Sequence, residues 1–169
     1  MSIDSSSKEK LEQKIGEALG LEMAAQKAVQ ELDSKGLLDE QGMKAKLDRM
    51  RKEANNHQTK LEKLVQKLSQ SQGLNSESIQ KSAEETEQKA SQMMETYLGE
   101  DPDSSEAIEF LCLAEGGEVT HYEVLSTMAT KKVKDRQFSA EVNLILRDER
   151  RHLQLCTRLA KQIAASSEE

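Results

Sequence analysis

Carboxylates seldom interrupt the apolar stripe of a helix, because burying one without a partner is costly. This chain interrupts its stripes repeatedly. Glu22 fills the gap between Leu19 and Gln26, on the face of Ile15 and Val29. Glu53 lies three residues after Met50, and His57 four before Leu61. Glu118 occupies the gap between Leu111 and Tyr122, and Glu149 lies between Ile145 or Leu146 and Leu153. Such groups need neutralising partners, and a pair of cations shared among them is one efficient solution. All three histidines follow a Glu by one helical turn: Glu53 and His57, Glu118 and His121, Glu149 and His152. Residues three or four apart share a helix face. With 31 acidic residues in 169, chance would give all three pairs about one time in thirty. Any one pair taken singly reads equally well as a solvated pair on a helix surface.

The separations between helices add a second constraint. Glu22 and Glu53 are 31 residues apart, and so are Glu118 and Glu149. In an antiparallel hairpin, residues equidistant from the turn face each other. The first midpoint falls at Gly36 to Leu38 and the second at Val133 to Lys134. Each hairpin then sets two Glu side chains opposite one another, and two packed hairpins would enclose four. A Glu from each of two helices and a Glu-x-x-His pair from each of the other two is a known dinuclear arrangement inside helix bundles. Glu149 and His152 have that spacing. Glu53 and His57 are one residue longer, which a π-bulge or a different rotamer would absorb. The candidate metal ligands are therefore Glu22, Glu53, His57, Glu118, His121, Glu149 and His152, with Glu53 and Glu149 the best bridging candidates. Carboxylate with imidazole suits two iron, manganese or zinc ions, and argues against a calcium or magnesium cage. Tyr122 reads either as a hydrogen-bond partner behind the ligands or as ordinary core. Gly116 and Gly117 read as a close helix approach or a bulge.

The elements that must carry these residues are helical. Aromatics are 2% of the chain, charged residues 33%, with one Pro and no Trp. Such a composition favours long helices with a core of Leu, Met, Ile, Val and Ala. Apolar periodicity predicts helices over 8–34, 39–69, 77–98, 105–133 and 138–165. Gly36 is the expected stop of the first, and the stretch Gly99 to Ser104 is the clearest break. Residues 1–7 are expected as a flexible lead-in, 8–165 as one domain, and 166–169 as a fraying tail. The third helix is weakly apolar and is expected to cross over between two hairpins, half exposed; it, or an outer face of the bundle, is expected to contribute to a homodimer contact.

The net charge of −7 and pI near 5.2 argue against nucleic acid or an anionic membrane as a partner. No apolar run approaches the ~18 residues of a membrane span, and no secretory leader is visible, so a cytoplasmic location is expected. Cys112 and Cys156 lie in apolar helical stretches and read as small buried hydrophobes of a reducing compartment.

Three segments carry a resemblance. His121-Tyr122-Glu123-Val124-Leu125-Ser126-Thr127 is similar to the His-Tyr-Glu segment of the bacterial stress-induced ferritin-like proteins of the YciE/YciF type. Leu21 to Lys27 resembles that family's first-helix segment. Leu146 to Arg150, continuing through Thr157 to Ala160, looks like its acidic final helix. The resemblance implies an all-α, ferritin-like four-helix bundle of two antiparallel helical hairpins joined by an extra crossover helix. It also implies a di-iron-type site, a dimer and a role in stress. The family carries Glu directly before its His-Tyr-Glu segment, where this chain has Thr120. The fourth-helix ligand therefore rests on Glu118, with Glu115 and Glu123 as alternatives.

Two functional readings follow from different classes. One is a dinuclear metal protein that oxidises Fe(II) or consumes oxygen or peroxide. The other is a metal-free helical interaction or scaffold protein whose buried acids pair with bases. A haem-binding bundle has little support where aromatics are so scarce.

Overall fold

The structure, a computed structural model, describes residues 3–40 and 42–166. Five α-helices account for most of them: α1 (Ser5–Ser34), α2 (Met43–Gln72), α3 (Ser76–Leu98), α4 (Ser104–Met128) and α5 (Arg136–Ser166). One π-helical turn, Ala129–Val133, ends α4. There is no strand among the described residues.

Local chemistry explains the helix ends. The Asp4 carboxylate accepts the Ser7 N–H at 2.9 Å, an N-cap that starts α1 at Ser5. Residues 5–7, expected in a flexible lead-in, are therefore helical; Met1, Ser2 and the tail 167–169 lie outside the described residues. Gly36 adopts φ +72°. It closes α1 with the Leu37 N–H on the Leu32 carbonyl and its own N–H on that of Asp33, the paired bonds of a Schellman stop. Asp103 and Glu106 cap α4 reciprocally, a capping box. Asp135 accepts the Phe138 N–H at 2.9 Å and starts α5 two residues ahead of expectation.

Two apolar clusters reveal the helix directions. Leu11 and Ile15 of early α1 share one with Leu64 and Leu68 of late α2, Tyr122 and Leu125 of late α4, and Phe138 of early α5. Val29 and Leu32 share the other with Met43 and Leu47, Ile108 and Leu111, and Leu159 and Ile163. So α1 and α5 run one way, and α2 and α4 the other. α1 packs on α2 and α4, and α5 on α4 and α2. The result is a bundle of four long helices in which every packed neighbour is antiparallel.

α3 does more than cross over. It lies lengthwise along α1, with Ile79 and Ala83 in the first cluster and Met94 and Leu98 in the second. The approach is close: a Cβ added at Gly16 would sit 2.7 Å from the Ile79 carbonyl oxygen, and one at Gly20 would overlap the Ala83 carbonyl. The apolar side of α3 packs against α1. Met93 and Tyr97 are the large apolar side chains it leaves exposed. No helix among the described residues is long and apolar enough to cross a membrane.

Candidate metal centre

Between the two apolar clusters lies a polar layer. Its buried members are Glu22 of α1, His57 of α2, Glu115 and Glu118 of α4, and Glu149 and His152 of α5. Each falls on its helix's inward stripe. On α4 that stripe runs Leu111, Glu115, Glu118, Tyr122, Leu125, and on α2 it runs Met50, Ala54, His57, Leu61. Alternating steps of three and four keep all of these on one face.

Glu149 is the centre of the layer. Its Oε1 lies 2.9 Å from His57 Nδ1, and its Oε2 3.4 Å from His152 Nδ1. Two overlapping sets result, Glu22 with His57 and Glu149, and Glu115 with Glu149 and His152, each with ligand atoms within 4.8 Å of one another. The two imidazole centroids are 5.9 Å apart. Tyr122 is buried in the first apolar cluster and donates its hydroxyl to Glu22 Oε1 at 2.7 Å, so it is core and hydrogen-bond partner at once.

Both histidines are held from outside by a carboxylate. His57 Nε2 lies 3.1 Å from Asp148 Oδ2, and His152 Nε2 2.7 Å from Glu53 Oε2. A carboxylate on one ring nitrogen fixes the proton there and aims the other nitrogen inward. Here Nδ1 faces Glu149 in each case.

Two expected ligands therefore stand elsewhere. Glu53 precedes the inward position Ala54 by one residue, about a quarter-turn off the stripe. It faces α5, accepting from Arg151 at 2.8 Å as well as meeting His152. α2 is α-helical throughout, so no bulge absorbs the four-residue spacing; His57 turns in and Glu53 stays at the rim. His121 precedes the inward Tyr122 by one residue in the same way. Its Nδ1 bonds the Gly117 carbonyl at 2.9 Å and its Nε2 lies 3.4 Å from Glu17, outside the layer. Glu123 is exposed and paired with Arg150. Glu115, named only as an alternative to Glu118, is buried along with it. Asp148 was missed; its place one residue before Glu149 was the available signal. A Cβ at Gly116 or Gly117 would meet nothing within 4 Å, and α4 is regular there, so neither close approach nor bulge explains this pair.

The electrostatics divide the layer. Burial, reinforced by the Glu149 charge, pushes Glu22 up to about 8 despite its bonds from His57 and Tyr122. Burial and then neighbouring carboxylates hold Glu115 and Glu118 well above the usual range. Burial opposes the charge on Glu149 too, but His152 and His57 outweigh it and keep this carboxyl low. The same opposition, won by Glu149 and Glu22, lifts His57 to about 11; His152 is raised likewise, Glu149 first. At the rim, His152 and Arg151 overcome burial and hold Glu53 at about 2. Glu118 is 2% exposed and neither of its oxygens has a hydrogen-bond partner. Glu22 Oε2 and Glu115 Oε2 also lack one, while the Glu149 oxygens meet the two imidazoles. Without cations, such a set is neutralised only by protons on the carboxyls and imidazoles.

Comparison with protein-family models, with curated proteins and with solved structures finds no match to this chain.

Proposed function

We propose that the chain is a dinuclear metal protein with a ferritin-like arrangement of α1, α2, α4 and α5, in which iron is the first choice of metal. Glu22, His57 and Glu149 would hold one ion, and Glu115, Glu149 and His152 the other, with Glu149 shared. The observation that carries this reading is the orientation of the two imidazoles. Each is tied at Nε2 to an outer carboxylate and turns Nδ1 toward a different oxygen of one buried Glu149. The unpartnered oxygens of Glu22, Glu115 and Glu118 fit the same reading, since a cation nearby would offset their burial. Two bound iron ions would supply one-electron oxidation chemistry toward oxygen or peroxide. The chain's own part is to bind, orient and exclude water. Tyr122 holds Glu22, Asp148 and Glu53 aim the histidines, and the two apolar clusters keep the layer dry. A stress-response role and a homodimer belong to the same reading.

A metal-free scaffold is the second reading. It is favoured by the closeness of His57 and His152 to Glu149, which lets imidazolium and carboxylate neutralise each other. Metal analysis of protein purified without chelators separates the two. About two equivalents of iron, manganese or zinc per chain, with a melting temperature that rises on loading, is the expected result. A chain that stays metal-free under saturating Fe(II) and Mn(II), and melts unchanged, overturns the metal reading.

A further inference from the structure

A cavity of about 80 Å³ opens between α1, α3 and α4 at the level of the polar layer. Its walls are Ala24 and Ala28 of α1, Ala90 and Met94 of α3, and Phe110 and Ala114 of α4, and Glu118 lines it too. Helix junctions elsewhere in this bundle are filled by Leu, Ile or Met. Here alanines from all three helices leave a gap, against the usual close packing of interiors. Exposed Lys27 and half-buried Glu31 of α1 also line it. Glu118 is 2% exposed, with both oxygens unpartnered. Lys27 reaches from α1 to Glu87 of α3, and between α2 and α5 Arg151 reaches across to Glu53.

The lining selects the occupant. An ion entering among alanines would lose its hydration without replacement bonds. The lining is mainly apolar, from Leu, Ala, Met and Phe, and its polar members are Lys27, Glu31, Ser91 and Glu118, so most of its surface offers water none of the two to four partners it needs. A small uncharged apolar molecule loses nothing there. The space of about 80 Å³ is ample for a diatomic gas. We propose that this alanine-lined cavity is the entry and docking site for dioxygen, leading it to Glu118 at the edge of the carboxylate layer. What awaits it at the inner end rests on the dinuclear reading; the cavity and its occupant do not.

Met94 and Met93 provide the measurement. Met94 is buried against the cavity, whereas Met93, its neighbour in sequence, is 68% exposed. Dissolved dioxygen is paramagnetic and speeds the relaxation of nearby methyl groups. In the metal-free full chain with labelled methionine methyls, dioxygen under pressure should relax Met94 more than Met93, by about threefold or more, although burial alone predicts the reverse. Ala90→Leu fills the cavity and should bring Met94 below Met93. Ala24→Leu, from a different helix, should do the same and guards against a folding defect in the first variant. Xenon should shift the Met94 methyl saturably, and less so in either variant. Met94 relaxing no faster than Met93 in the parent overturns the proposal, as does equal enhancement in parent and both folded variants. Metal stoichiometry is measured separately on the same chain. Its failure would remove the dinuclear reading and leave the cavity result standing, and the reverse also holds.

Discussion

The two flanks of the polar layer are built from the same residue types and end in opposite states. On the α2 and α5 flank, Glu53 and Asp148 each meet an imidazole and Arg151, and both carboxyls are held low. On the α4 flank, Glu115 lies among carboxyls with His152 no nearer than 3.8 Å, Glu118 lines an apolar cavity, and both carboxyls are held high. The difference arises from one residue of helix register. Glu53 stands just off the inward stripe, where a long side chain reaches solvent and a neighbouring helix's arginine. Glu118 stands on the stripe, where nothing basic can reach it. A carboxylate inside an apolar pattern is thus no uniform signal: it marks an orienting group at the rim and a charge-deficient site at the centre.

The largest expected effect comes from removing the residue common to both flanks. Glu149→Ala takes the shared partner from His57 and His152, and should cost the metal-free protein about 3–5 kcal/mol. Bound metal should fall by at least about half. Val142, Ile145 and Cys156 still pack α5, so helical circular dichroism should persist. Full metal content in a folded variant removes Glu149 from the site.

Next in size is the helix that walls the cavity. Gly20→Ala drives a methyl into the Ala83 carbonyl. Overpacking of this kind costs about 1–3 kcal/mol, and denaturant unfolding should record it. It should also loosen α3, raising hydrogen exchange across 76–98 while α5 exchanges as before. Unchanged stability would mean that α3 is not docked on α1.

The flanks should also differ in sign. In metal-free protein, Glu118→Leu replaces an unpartnered buried carboxyl with an apolar side chain and should stabilise by about 1–2 kcal/mol. Glu53→Ala takes one acceptor each from His152 and Arg151 and should destabilise by about 1 kcal/mol. Equal signs in thermal melts would erase the distinction between rim and centre.

The smallest effect concerns Gly116 and Gly117, which lie in regular helix with open space where a Cβ would go. Gly117→Ala should stabilise by about 0.5–1 kcal/mol. The two glycine pairs of this chain then respond oppositely, because one faces a neighbouring helix and the other faces nothing.

How much of this was legible from residue order can be read helix by helix. Periodicity located all five helices to within a few residues, because a core of Leu, Ile and Met repeats at three and four. The equal 31-residue separations brought Glu22, Glu118 and Glu149 to one level, because antiparallel helices joined by short turns leave little freedom in register. The same pattern misjudged Glu53 and His121. Both share a turn with an inward residue, and a separation of three or four along the chain does not say which member faces the core. Reading each stripe strictly in steps of three and four would have passed over both and admitted Glu115.

Other features had no local signature. The docking of α3 depends on Gly16 meeting Ile79 and Ser82 and on Gly20 meeting Ala83, residues more than sixty positions apart, and only the packed chain shows those contacts. The same holds for the pairing of Asp148 with His57 and of Glu53 with His152, across 91 and 99 residues, and for the alanines of three helices that leave a cavity beside Glu118. Sequence by itself determined the helices, their antiparallel hairpins and the level of the acidic layer, since these follow from local periodicity and short connections. Tertiary structure alone decided which carboxylates are paired, which are stranded and where the space beside them opens, because each depends on side chains that only a folded bundle brings together.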